Sequence, residues 1–317
     1  MTIVTRPHFP RHRWVRWLAD EPHNQTGLRI LQIAIGLSFV FKVVTQWPYA
    51  EYLWGPTGIA AGNSISGIPP LLGSHLGGLV ERAFATPFGT HVILALLSLA
   101  GIGLILGRMT LASTFAALVC SSALDARLPL LPDGGDNVTA LVLVYLLFAL
   151  PPRMRGTPSG SRVWLHNVAV LAIIMQTAIL YFISGLSKAG GEMWQHGIAL
   201  YYISQVSIFS SQSMRWLFGY ASIVTLATYA VMFWELMFPM AIISHFRVAW
   251  IVVGIAFEIG VAHFMGLSTF STVMIGLLLF IPSDGEYRRY FQKLWMATTG
   301  STVLSLAHKL NSGDHVA

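Results

Sequence analysis

The sequence predicts an all-α protein that sits in a bilayer as a polytopic helical bundle. Three observations carry that reading. Hydrophobic residues make up 55% of the 317-residue chain and charged residues only 10%, whereas soluble globular chains hold about 25% charged residues. The apolar residues gather in runs close to the roughly 20 residues a membrane helix needs. Lys and Arg also divide unevenly between alternate connections, in the positive-inside manner of membrane proteins.

The basic N-terminal segment 1–27 begins MTIVTRPHFPRHRWVRW and lacks the apolar core and small-residue cleavage site of a signal peptide. Eight spans follow within a transmembrane domain 28–282, at 28–47, 88–107, 109–126, 137–151, 163–187, 217–244, 248–267 and 269–282. The fourth and eighth are short. Between the first two spans, residues 48–87 hold WGPTGIAAGNSISGIPP, whose Gly and Pro predict an irregular loop. Residues 188–216 contain EMWQHGIALYYISQ, with aromatic and apolar residues at helical spacing. That pattern predicts an interfacial or re-entrant outer helix. The tail 283–317 is polar. Placing both termini in the cytoplasm puts fourteen of the nineteen Lys and Arg inside and leaves Arg82, Arg127, Lys188 and Arg215 outside, with Lys42 inside the first span.

The net charge of +6 is therefore positional, and no nucleic-acid-binding motif accompanies it. Cys120, the single cysteine, excludes an internal disulfide and reads as a small buried hydrophobe. A metal site finds no support: there is no HExxH, and Glu258 and His263 lie about 140° apart around their helix.

Ionisable groups inside spans are costly and mark function or pairing. Lys42 lies in the outer third of the first span, and Asp136 and Asn137 open the fourth. Lys188 closes the fifth, and Glu258 and His263 lie at the middle and outer third of the seventh. Their shared depth predicts an outer-facing pocket. Blander roles stand beside this one: outward snorkelling for Lys42, helix capping for Asp136 and Asn137, and a helix–helix contact for His263. Glu235, in the inner half of the sixth span, is expected to brace a kink near Pro239. Ser184, Ser187 and Lys188 share one helical face, and Gly185 admits a close helix neighbour there. A desolvated lysine can serve as a general base.

The string YFISGLSKAGGEMWQHGIALYYI resembles the central motif of the membrane domain of vitamin K-dependent gamma-glutamyl carboxylase and its bacterial relatives, the HTTM (horizontally transferred transmembrane) family. The matching residues are Tyr181, Phe182, Ile183, Ser184, Gly185, Lys188, Trp194 and Gly197. GLRILQIAIGL at 27–37 looks like the family's first-span Arg motif, WGPTGI at 54–59 like its Gly-Pro loop, and GGDNVTALVLVYLLFALP like the opening of its fourth span. Length and the GGDN string resemble the SdpB family, bacterial membrane proteins associated with maturation or export of secreted antimicrobial peptides.

The resemblance implies a carboxylase-like membrane enzyme of the cell membrane. Lys188 would be an extracytoplasmic base, Asp136 and Asn137 its catalytic neighbours, and Lys42, Trp194, Glu258, His263 and Ser187 contacts for a substrate or a cofactor of the vitamin K hydroquinone class. The implied substrate is a secreted peptide. The chain departs from the carboxylase at Asp136 and Asn137, where that enzyme has Asn-His. It departs again at Ser187 in place of a second lysine, at Glu258 in place of a His, and in having no match to the large lumenal domain. Two alternatives stand: a non-enzymatic membrane factor for peptide binding, export or tolerance, and an ion-coupled transporter using Glu235 and Glu258.

Overall fold

A computed structural model describes residues 17–62, 73–151, 160–208 and 210–292. Among these residues every regular element is a helix. In chain order they are α1 (Gln25–Gln46), α2 (Ala50–Trp54), α3 (Gly73–Phe84), α4 (Pro87–Leu106), α5 (Thr110–Arg127), α6 (Gly134–Leu146) and α7 (Gly160–Ala189). The short helices α8 (Glu192–Gln195), α9 (Ala199–Gln205) and α10 (Gln212–Leu217) follow. The chain then forms α11 (Ala221–Ile243), α12 (Arg247–Met265), α13 (Ser268–Phe280) and α14 (Asp284–Gln292).

Each apolar run read from the sequence folds as a helix: α1, α4 to α7 and α11 to α13. Among the described residues five helical stretches, Gln25–Trp54, α4, α7, α11 and α12, are long and apolar enough to cross a membrane. The chain is a helical membrane protein. α6 has 13 residues, about 20 Å of helix, and is shorter than the ~30 Å hydrocarbon layer. α13 and α14 together reach crossing length but meet at 91°.

α1 forms the spine of the bundle, packed on α4 along one side and α13 along another. These contacts are close because small residues lie between the backbones. A Cβ on Gly36 would stand 2.5 Å from the Gly101 carbonyl of α4, and one on Gly27 would stand 2.6 Å from the Phe280 carbonyl of α13. Leu31, Ile35, Leu94, Leu97 and Leu277 fill the interior, while Leu96, Phe115, Leu171 and Leu226 face outward. An apolar exterior of this kind suits lipid rather than water. Cys120 is buried.

Polar side chains fasten the helix ends. Arg29 donates to the Leu104 and Ile105 carbonyls, satisfying acceptors that the last turn of α4 would otherwise leave open. This gives the Arg of GLRILQ a structural role. Asn167 of α7 accepts from the His23 amide at 3.0 Å and donates to the carbonyls of Trp17, Leu18 and Glu21 at 2.8–3.1 Å. His166 accepts from the Leu150 amide at 3.0 Å. Residues 17–25 are thereby tied across one end of the bundle.

Two connections differ from their sequence reading. Part of the expected loop 48–87 is helical: Val80 and Phe84, one turn apart on α3, are buried, and that small apolar face overrides the Gly-rich composition. Positions 63–72 lie outside the described residues. The segment 188–216 forms three short helices instead of one; Gly191 and Gly197 bound the first of them, and Gly197 has a φ of +71°, which a side chain rarely tolerates. Most of the tail read from position 283 (293–317) and most of the N-terminal segment (1–16) lie outside the described residues.

Candidate functional site

The intramembrane polar groups form two centres. The first joins α1, α5 and α6. Lys42 is only 7% exposed, so it turns inward rather than snorkelling. Its Nζ donates to Asp136 Oδ1 at 2.7 Å and lies 3.6 Å from Asp125 Oδ1. Asp136 also serves the helix: Asp133 is the N-cap, accepting from the Gly135 and Asp136 amides, and Asp136 accepts from the Asp133 amide at 3.1 Å. This capping box fixes the carboxylate that Lys42 meets. The capping expected of GGDN is therefore present, with its start one turn earlier. Asn137 is exposed.

The second centre joins α7, α11 and α12. Lys188 Nζ donates to Glu235 Oε1 at 2.9 Å, Glu235 Oε2 at 2.7 Å and Ser184 Oγ at 2.6 Å. An ammonium has three N–H groups, and three acceptors surround it. The Trp194 ring covers the same Nζ at 5.3 Å, within cation–π range. Glu235 is 3% exposed, and Gly185 makes room for it: a Cβ there would stand 2.7 Å from the Leu236 amide nitrogen and 3.0 Å from Glu235 Cβ. Pro239 lacks the amide hydrogen that would bond the Glu235 carbonyl one turn before it, yet α11 continues through it. Glu235 is thus the ion-pair partner of Lys188.

Tyr181, lower on the α7 face that carries Ser184 and Lys188, donates its hydroxyl to Glu258 Oε1 at 2.8 Å. Trp234 and Phe238 pack on its ring at 4.8 and 4.6 Å. Glu258 is 1% exposed, and among the described residues its Oε2 has no hydrogen-bond partner.

The single pocket expected from depth is therefore divided. Among the described residues no hydrogen bond or ion pair links Lys42, Asp125 and Asp136 to Lys188, Glu235 and Glu258. His263 is exposed, with its ring against Phe264 at 5.0 Å, and Ser187 is exposed. Trp194 is at the site.

Counting depth from span ends separates Lys188 from Glu235, but the structure pairs them for a geometric reason. α7 ends beside the middle of α11, and α8 and α9 pack along the rest of it. Tyr229 donates to the Gln195 carbonyl at 2.7 Å, and Gly197 rests on Thr225 and Tyr229. Lys188 therefore lies at the depth of Glu235. The i, i+3, i+7 spacing of Tyr181, Ser184 and Lys188 on one helical face is the sequence signal that a second acidic helix belongs opposite. Asp125 had no comparable signal, since it closes a moderately polar helix.

The residues around Lys188 do not fit a quinone in this packing. Its three N–H groups are engaged, Trp194 covers it, and α11 lies in contact at Gly185. Among the described residues no cluster of three His, Cys, Asp or Glu side chains is arranged to hold a metal ion. Comparison of the chain with protein-family models, curated proteins and solved structures finds no match.

Proposed function

We propose that this chain is a multi-pass protein of the bacterial cell membrane that handles a secreted peptide at its extracytoplasmic side, with Lys188 and Glu235 as a proton-transfer couple. The carrying observation is the partner of Lys188: a buried carboxylate at 2.7 and 2.9 Å, in place of the lipid headgroups that a snorkelling lysine would meet. Transfer of one proton from Lys188 to Glu235 would free an amine, and that amine can take a proton from the peptide. The YFISGLSK motif and its resemblance to the HTTM and SdpB-type proteins support this class of chemistry. The distribution of Lys and Arg supports eight crossing segments with both termini cytoplasmic. A quinone partner rests on the resemblance alone.

A second reading is favoured by one specific observation. All three N–H groups of Lys188 already have acceptors, as in a static strut, and the protein would then bind or export the peptide without chemistry. Replacing Lys188 by Arg separates the two, because Arg can hold Glu235 in two bonds but stays protonated. Cells carrying the wild type, Lys188→Arg and Glu235→Gln would be compared by mass spectrometry of their secreted peptides. The base reading expects a modified mass in wild type that falls by at least about 100-fold in Lys188→Arg. Modification persisting in the Arg variant would reject it in favour of the binding factor.

A further inference from the structure

Away from both centres, at the end of the bundle where α11 turns into α12, the chain holds a cavity of about 490 Å³. Its polar wall comes from Ser244, His245, Arg247, Glu286 and Arg289. Glu286 is already consumed: Arg247 grips both of its oxygens, and the Ser283 amide and hydroxyl each donate to Oε2 at 2.8 Å. The excess charge at the cavity is therefore positive and belongs to Arg289. That residue is exposed and its Nε donates to the Gly285 carbonyl at 3.3 Å, which leaves its terminal amines for a ligand. The first turn of α12 lies in the same wall, and a helix N-terminus adds positive potential.

A second cavity of about 260 Å³ adjoins the first across Val248 and Tyr290, which line both. Its wall is apolar: Val252, Ile255, Leu279, Pro282 and Phe291. The 91° turn between α13 and α14 lays α14 across the bundle end and closes this groove against α12. Phe246 and Phe291 stand exposed around it, as residues inserted at a membrane interface do.

We propose that this paired cradle and groove is a binding site for one anionic phospholipid, its phosphate held by Arg289 and its acyl chain lying along α12 under α14. A free phosphate would use the cradle and leave the groove empty. A zwitterionic lipid would use the groove and gain little from the charge. The proposal needs only that the protein is embedded in a bilayer, and it is independent of Lys188.

The test uses the delipidated full-length protein in neutral detergent, with bound species counted by native mass spectrometry. Dioleoyl phosphatidylglycerol, dioleoyl phosphatidylcholine and inorganic phosphate are titrated in turn. The expected result is one tightly retained phosphatidylglycerol. In Arg289→Gln its affinity should fall about fivefold, the worth of one basic residue at a lipid surface, with phosphatidylcholine retention unchanged. Arg289 is exposed, so the variant should melt like wild type. Equal retention of the two lipids by wild type, or phosphatidylglycerol binding indifferent to Arg289→Gln, would overturn the site. Displacement of phosphatidylglycerol by inorganic phosphate at matched concentration would overturn the lipid assignment.

Discussion

Tyr181 and Glu258 share a hydrogen bond of 2.8 Å in a buried site, while among the described residues the second carboxyl oxygen of Glu258 meets no donor. Among those residues the Tyr181 hydroxyl is the group that satisfies this side chain. Tyr181→Phe should destabilise the protein by about 1–3 kcal/mol, the cost of leaving a buried polar group unpaired. Replacing both partners, as Tyr181→Phe with Glu258→Met, should recover most of that loss because no polar group is then stranded. Thermal unfolding in detergent reads both. A double variant no more stable than Tyr181→Phe would show that the bond does not set the cost.

The Lys188–Glu235 pair predicts an asymmetric response. Lys188→Met strands a buried carboxylate and should cost about 3–5 kcal/mol, as breaking buried pairs does. Lys188→Arg retains the pair and should cost far less. The same melting assay checks this. Equal losses in the two variants would mean that keeping the charge opposite Glu235 does not keep the stability.

Much of this architecture was legible in the sequence. Period and length disclosed the apolar helices, and Gly185 announced a close helix contact. The GGDN string announced a capped helix start. What was not legible is relative depth. A span read alone has no vertical position against its neighbour, so Lys188 at the end of α7 and Glu235 within α11 looked distant. The link between them is the packing of α8 and α9 along α11, a tertiary fact carried by contacts such as Tyr229 with Gln195. Asp125 was hidden for a related reason: it becomes informative only when Lys42 of α1 is seen at 3.6 Å.

Lys42 faces two carboxylates, Asp136 at 2.7 Å and Asp125 at 3.6 Å. Lys42→Met leaves these like charges together and should destabilise by about 3–5 kcal/mol. Adding Asp125→Asn should restore part of the loss by removing one of them, while the Asp136 capping bond to Asp133 stays intact. If Asp125→Asn deepens the loss instead, Asp125 has a stabilising partner other than Lys42.

Glycine positions in this bundle are not equivalent. Gly36→Ala places a methyl group 2.5 Å from the Gly101 carbonyl, whereas Gly78→Ala meets nothing within 4 Å among the described residues. The first should cost about 1–3 kcal/mol through overpacking of two backbones. The second should change stability by no more than about 1 kcal/mol, and upward, since Ala favours helix over Gly. Unfolding temperatures of the two single variants decide the matter, and a stable Gly36→Ala would refute the tight α1–α4 contact.

The attachment of α14 depends on pH through Glu286. Burial alone would raise its carboxyl, but hydrogen bonds from Arg247 and Ser283, together with the Arg247 charge, outweigh burial and hold it below the ordinary value of 4.5. A carboxyl lowered by folding binds protons more readily in the released state, so acid favours release. The stabilisation is whole above pH 4.5 and drains as pH falls through the lower folded value. Hydrogen exchange along α14 should therefore stay slow at neutral pH and quicken as pH falls below 4.5, after correction for the intrinsic exchange rate. Arg247→Gln removes the main opposing donor. It should loosen α14 at neutral pH and shrink or abolish the further acceleration in acid, because burial then raises the Glu286 carboxyl again, while leaving protection in α1 and α4 unchanged. An α14 profile identical in the variant would assign its attachment to the Tyr287 and Pro282 packing and not to the ion pair.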